Sequence, residues 1–252
     1  MRFLVKRPTV VGMIKTADPE RIIQEAKRLI EEGADALGLQ TETLLPENKT
    51  LPVLKKLFSS MDGKPIYVTN YRRFNVSDPV PDDDALAEEL LLALRAGASL
   101  IDVRGDMFHP EIDEFTEDAE AVEKQKELIR EIHALGGEAL ISTHIFHFTP
   151  CDKIMKIAYA MYERGADIAK IVSFADTEEE LEEAFKITEE LKASLPIPAL
   201  FLINGAACRR HRYEAPLIEG SMFLTVEEAR KNETQPTVKE ARQLIDQGGC
   251  NK

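Results

Sequence analysis

Residues 163–172 read ERGADIAKIV: a helical pattern ends, a glycine turns the chain, and an apolar, β-branched run begins. Glycine after a helix adopts the left-handed cap conformation without steric cost. The seam recurs as EEGADALGL (31–39), RAGASLIDV (95–103) and LGGEALIST (135–143), which puts the expected caps at Gly33, Gly97, Gly137 and Gly165. Outward from these seams, seven runs read as strands: TVVGMI (9–14), ADALGL (34–39), PIYVTN (65–70), SLIDV (99–103), EALIST (138–143), DIAKIV (167–172) and PALFLI (198–203). An eighth falls in GSMFLTV (220–226), after a stretch, RRHRYEAPL (209–217), that reads as irregular. The intervening segments are amphipathic; in ERIIQEAKRLIEEG, Ile22, Ile23, Ala26, Leu29 and Ile30 share one helical face. Strand, helix and glycine-capped return, repeated about eight times, predict parallel βαβ units closed into a (β/α)8 TIM barrel, one domain over residues 1–252. An open doubly wound sheet is the alternative. Neither G-x-G-x-x-G nor G-x-x-x-x-G-K-[ST] follows a strand, so no dinucleotide or phosphate loop is expected.

Composition narrows the function classes. With 252 residues, 44% of them hydrophobic, the chain can bury a full barrel core. No run of eighteen apolar residues occurs and the start, MRFLVKRPTV, lacks the pattern of a signal peptide, which predicts a soluble, cytoplasmic protein without a membrane partner. The net charge of −13 repels phosphate backbones, so nucleic acid is not an expected partner and any anionic ligand needs a local basic cluster. Cys151, Cys208 and Cys250 are odd in number and lack metal-ligand spacing, which fits free thiols and no metal site. The acidic run 177–183 reads as the solvated first turn of a helix, favoured by the helix dipole.

Barrel enzymes carry their chemistry at the C-terminal ends of the strands, so polar residues ending apolar runs are the candidates. In ADIAKIV, alternation puts Ala166, Ile168, Lys170 and Val172 on one face and Asp167, Ala169 and Ile171 on the other. An ammonium among these apolar neighbours is costly to desolvate, which would leave a nucleophilic amine near neutral pH. A lysine that snorkels to solvent or pairs with a carboxylate is the structural alternative. ISTHIFHFTPCDK ends a strand at His144 and opens a helix, with Thr149 expected as N-cap and Pro150 as its first residue. His144 is then a proton carrier at the barrel mouth or a hydrogen-bonded structural residue; His147, in the loop beyond, is the weaker candidate. Adjacent strands five and six would hold His144 and Lys170 over one cavity.

STHIFHFTP (142–150) followed by GADIAKI (165–171) resembles the type I 3-dehydroquinate dehydratases, whose catalytic pair is the histidine of S-x-H-D-F-x-x-T-P and the lysine of G-A-D-x-x-K. The resemblance runs from VVGMI to the C-terminal helix. It implies a hydro-lyase in which Lys170 forms a Schiff base with a small-molecule keto acid, His144 acts as general acid and base, and no cofactor is needed. Several pocket positions depart from the family. The family's E-x-R on strand two aligns with Gly38 and Gln40, and its T-x-R-x-x-x-E on strand three with Thr69, Tyr71 and Asn75, next to Arg72. Its D-x-E on strand four aligns with Asp102 and Arg104, and the aspartate after the histidine with Ile145. Near the C-terminus, Arg209, Arg210 or Arg212 stands for the carboxylate-binding arginine, with Arg212 favoured, and Val238 aligns with the loop glutamine.

Loss of four hydrogen-bonding partners, each worth about 1–3 kcal/mol, predicts retained imine chemistry on a substrate other than 3-dehydroquinate, with Arg212, Arg210, Arg104, Gln40, Tyr71 and Arg72 as binding residues. By alternation with Leu100 and Asp102, Arg104 points inward, either to bind an anionic group or to pair with Asp102 or Asp106. Class I aldolase-like cleavage and a non-catalytic metabolite-binding barrel are the competing functions. A homodimer is compatible with such a barrel.

Overall fold

The seams close where the alternation places them. In the computed structural model, which describes residues 3–4, 8–228 and 234–249, the chain alternates β1 (Thr9–Ile14), α1 (Pro19–Glu31), β2 (Ala36–Gln40), α2 (Leu51–Ser59), β3 (Ile66–Thr69), α3 (Asp83–Ala96), β4 (Leu100–Arg104), α4 (Ala119–Ala134), β5 (Glu138–His144), α5 (Cys151–Glu163), β6 (Ile168–Phe174), α6 (Glu178–Ser194), β7 (Ala199–Asn204), α7 (Cys208–Glu219), β8 (Met222–Thr225) and α8 (Val238–Gly249). All ladders are parallel, and the strands follow one another around the barrel from β1 to β7, with β8 beside β1. Among the described residues no ladder joins β7 to β8, so the barrel is nearly closed. Cys250 lies outside the described residues, as does Glu233 at the head of ETQPTV (233–238), the stretch that ends in Val238 and stands where the family carries its mobile loop.

Alternation separates two cores. Val11, Ala36, Tyr67, Leu100, Leu140, Ile168 and Leu200 pack inside the barrel, with Phe3 among them. Their neighbours in sequence, such as Val10, Leu37, Ile101 and Ala169, pack outward against the helices. Within β6 this puts Lys170 between Ile168 and Val172 on the inner face.

Three local expectations need correction. The left-handed residue before β5 is Gly136 (φ 84°), whereas a side chain at Gly137 would meet Leu94 Cδ1 at 2.5 Å, so one glycine turns the chain and the next lets a helix approach. Pro150 itself stands at the N-cap of α5, and the Thr149 hydroxyl donates to His147 O (3.3 Å) instead of capping the helix. RRHRYEAPL is not irregular but forms most of α7, with Pro216 in its last turns. The run 177–183 does open a helix: Thr177 and Glu180 close a capping box on α6. Cys151 and Cys208 are free thiols, and no helix among the described residues is long and apolar enough to cross a membrane.

Candidate active site

A cavity of about 410 Å³ opens at the C-terminal ends of the strands, lined by Lys170, His144, Gln40, Tyr71 and Arg212, with Met13, Val172, Leu202 and Leu224 as its apolar wall. Lys170 is 5% exposed. Its Nζ donates to Tyr71 Oη (2.6 Å) and to Tyr67 Oη and Asp102 Oδ2 (each 3.2 Å). Tyr71 Oη in turn donates to Asp102 Oδ2 (2.6 Å), as does Tyr67 Oη, while Ser142 Oγ donates to Asp102 Oδ1. In the β5–β6 register Ser142 lies opposite Lys170, and His144 one inward step nearer the mouth, opposite Val172. Burial opposes the charge on Asp102, but Lys170 and the hydroxyls of Ser142, Tyr67 and Tyr71 outweigh it and hold the carboxyl below its ordinary value. Burial, then the Asp102 charge, pushes both phenols far above their ordinary range, so they stay protonated donors.

His144 is fixed from one side. Its Nδ1 lies 2.6 Å from Glu114 Oε2, and Tyr71 packs edge-on against its ring at 5.4 Å between centroids, which leaves Nε2 toward the cavity. Burial lowers the imidazole pKa below its ordinary value; the Glu114 hydrogen bond opposes this and the Lys170 charge adds to it. Glu114 sits in the loop after β4 with a left-handed backbone (φ 51°), a conformation that costs a non-glycine residue about 1–3 kcal/mol. Arg104 Nη2, 3.7 Å away, and Arg164, which donates to Gly105 O and Thr116 O, brace that loop. Behind Tyr71, Glu42 accepts from Thr69 Oγ1, and burial pushes its carboxyl up to about 7.

The other expected binding residues divide. Arg212 reaches the cavity from α7: Nε donates to Ile203 O (2.7 Å) and Nη2 to Asn204 Oδ1 (2.6 Å), no carboxylate among the described residues pairs with it, and burial lowers its pKa to about 10. Gln40 and Tyr71 line the same wall. Arg104 does not: it pairs with Asp106 (2.8 Å) and Glu114, not with Asp102, which is taken by Lys170 and the two phenols. Arg72 is turned away into Asp106 (2.7 Å) and Asp83 (3.3 Å). Arg210 lies on the outer face of α7 among Glu178, Glu182 and Glu214, and Arg209 stacks on Tyr213. The exposed His147 faces Asp113 (3.2 Å). Asn75 Oδ1 caps a turn by accepting from Ser77 N.

Sequence reasoning passed over five residues. Tyr67 shares the inward face of PIYVTN with Thr69, and Lys15 and Asn204 are the first polar residues after apolar strands, so the rule that found His144 reaches all three. Glu114 and Gln235 lie on loops without periodicity and carry no such signal. Gln235 lines the cavity three residues before Val238, which is fully buried at the start of α8. At Gly38 a Cβ would sit 2.2 Å from Met13 Sδ: the thioether fills the space that a carboxylate side chain at this position would need.

A barrel whose strand ends converge on one cavity around a buried lysine and a carboxylate-held histidine belongs to the class of (β/α)8 enzymes with polar side chains gathered at the mouth. The type I 3-dehydroquinase model matches residues 12–251, and the chain belongs to that family of dehydratases. The fold is shared with the 3-dehydroquinate dehydratase of Geobacillus kaustophilus HTA426 (TM-score 0.82, 17% identity, 97% of this chain and 92% of that one). It is shared equally with the type I enzyme of Clostridium difficile solved with covalently modified comenic acid (TM-score 0.82, 19% identity, 96% and 92%), and with the Enterococcus faecalis enzyme (TM-score 0.77, 17% identity, 98% and 96%). No curated protein sequence matches the chain.

Proposed function

We propose that this dehydratase-family barrel is a Schiff-base lyase acting on a keto acid less hydroxylated than 3-dehydroquinate. The observation that carries the proposal is the meeting of Lys170 Nζ and the open edge of His144 over one cavity, with Arg212 on its far wall. The substrate carboxylate pairs with the Arg212 guanidinium, whose planar fork suits it. The Lys170 amine adds to the ketone carbon and water leaves, giving an iminium. His144 Nε2 takes the proton from the neighbouring carbon, and the C–H electrons flow into the iminium to form an enamine. The returning electrons expel the β-hydroxyl, which leaves as water with the proton from His144. Water then adds to the imine and releases the product and the lysine. Tyr71, 2.6 Å from both Nζ and Asp102, is the group through which a proton passes between the amine and the carboxylate.

The substrate preference follows from the wall. Met13 in the space beside Gly38, together with Leu202 and Leu224, presents carbon and sulfur where ring hydroxyls would need partners, and an unpaired hydroxyl costs about 1–3 kcal/mol. Cyclic β-hydroxy ketone acids with zero to three further hydroxyls, assayed by absorbance of the conjugated product with wild type and Lys170→Ala, test the proposal. Turnover that favours the less hydroxylated members and vanishes in Lys170→Ala is the expected result. Equal rates in the two proteins, or best turnover of 3-dehydroquinate itself, contradict it.

A further inference from the structure

The reacting cavity does not end at His144. It opens into a second space of about 400 Å³ that shares Gln40, Tyr71 and His144 with the first and adds Arg73, Phe74 and Phe146. Two large aromatic side chains are exposed there, Phe74 at 62% and Phe146 at 47%, although burying such a ring is worth about 1.5–3 kcal/mol. Phe74 is also held at φ 67°, a left-handed conformation unusual for a bulky residue. The Arg73 guanidinium lies 5.0 Å from the Phe74 ring centroid and 4.9 Å from that of Phe146, so it bridges the loops that follow β3 and β5. Lys15 Nζ stands 4.7 Å over the Phe74 ring. Among the described residues no carboxylate pairs with Arg73, whose recorded contacts are the two rings, in a chain whose net charge is −13. Glu114, the acid that lines the same space, is already taken by His144 and Arg104.

Aromatic faces hold a cation in place without neutralising it. A guanidinium so held keeps its N–H edge for an oxyanion. We propose that this rim is a second substrate subsite, built for an anionic group, carboxylate or phosphoryl, at the end of the substrate remote from the reacting ketone. The inference rests on the keto-acid reading above and makes the substrate at least a dianion, with Arg212 taking the first charge and Arg73 the second.

Three cyclohexanone carboxylates test it, identical but for a short arm ending in carboxylate, phosphonate or neutral amide. Calorimetry measures their binding to wild type, Arg73→Met and Phe146→Ala, and borohydride trapping on Lys170 is run in parallel. An anionic arm is expected to bind about tenfold more tightly than the amide, with the preference falling to within about twofold in Arg73→Met and weakening in Phe146→Ala. Whichever anionic arm binds more tightly names the acid. Equal binding of all three arms, or a preference that survives Arg73→Met, overturns the subsite. The imine reading is separable: an adduct with all three probes at equal affinity sinks the subsite alone, while arm-dependent binding with no adduct sinks the imine alone.

Discussion

The two ends of the barrel each carry a cavity, and the larger is at the wrong end for chemistry. The space beneath the strand N-termini, about 610 Å³, is lined by Glu138, Asp167, Lys192 and Glu219, against about 410 Å³ at the mouth. The lower acids tie the backbone together. Asp167 accepts from Ala139 N (2.8 Å), Glu138 from Phe3 N, and Glu219 from Phe201 N (2.8 Å) and Ser221 Oγ. At the mouth, by contrast, the polar groups contact one another beside the cavity: the Lys170 amine, the Tyr71 phenol and the Asp102 carboxylate form one set, and the imidazole held by Glu114 packs edge-on against Tyr71. What separates a site from a fold support is where the polar atoms point, not the volume they enclose or their number.

That contrast can be broken from either end. Replacing His144 by alanine removes the proton carrier, and turnover is expected to fall by about 10²–10⁴-fold while keto acid binding persists; a loss of under tenfold contradicts its role. Tyr71→Phe removes one hydroxyl from between Nζ and Asp102 and costs about ten- to a hundredfold in kcat, the worth of one or two charged hydrogen bonds, with little change in affinity. If affinity falls and kcat does not, Tyr71 binds substrate and moves no proton.

A pH profile sharpens the assignment of the imidazole. His144 acts as base when neutral, and burial holds its pKa below the ordinary 6.5, so the acid limb of kcat/KM should fall below that pH. The Glu114 hydrogen bond opposes the shift, so Glu114→Gln should move the limb further toward acid and lower the rate about tenfold through loss of ring orientation. A limb that does not move places the titrating group elsewhere.

The smallest effect on activity is expected below. Burial pushes the Glu219 carboxyl up to about 8 from an ordinary 4.5. On raising pH between those values the unfolded chain gives up its proton before the folded one does, so unfolding releases a proton and stability falls. Glu219→Gln removes that loss. The variant should match the wild type below pH 4.5 and exceed it by on the order of 1–3 kcal/mol at pH 8, with turnover unchanged. Chemical denaturation at the two pH values measures both limbs; a variant less stable at pH 8 than its parent contradicts the account.

Much of this could be read from the sequence because a barrel writes itself as alternation. Lys170 and His144 interrupt apolar strands where only side chains facing the mouth can be polar, and the register that joins them follows from consecutive strands. The helix α7 was hidden because Pro216 and four basic residues disguise a helix whose buried residues, Cys208, His211 and Ala215, keep helical spacing. Two pairings stayed open in the sequence and close in the fold: Arg104 takes Asp106, one of its two expected partners, and Lys170 takes Asp102, the carboxylate pairing that was its structural alternative. Alternation says which face a side chain takes, not which of several charges across the barrel reaches it first. Glu114 and Gln235 were invisible for a simpler reason. Loops position residues by tertiary contacts, and no period in the chain records them.

The proposed chemistry rests on an imine between Lys170 and a keto acid. Borohydride reduction with a panel of such acids, followed by intact mass and peptide mapping, tests it most directly. A reduced adduct is expected on the peptide that carries Lys170 alone, and none in Lys170→Ala. A folded wild type that forms no adduct with any member of the panel, yet binds one of them tightly, would contradict it and leave a metabolite-binding barrel in its place.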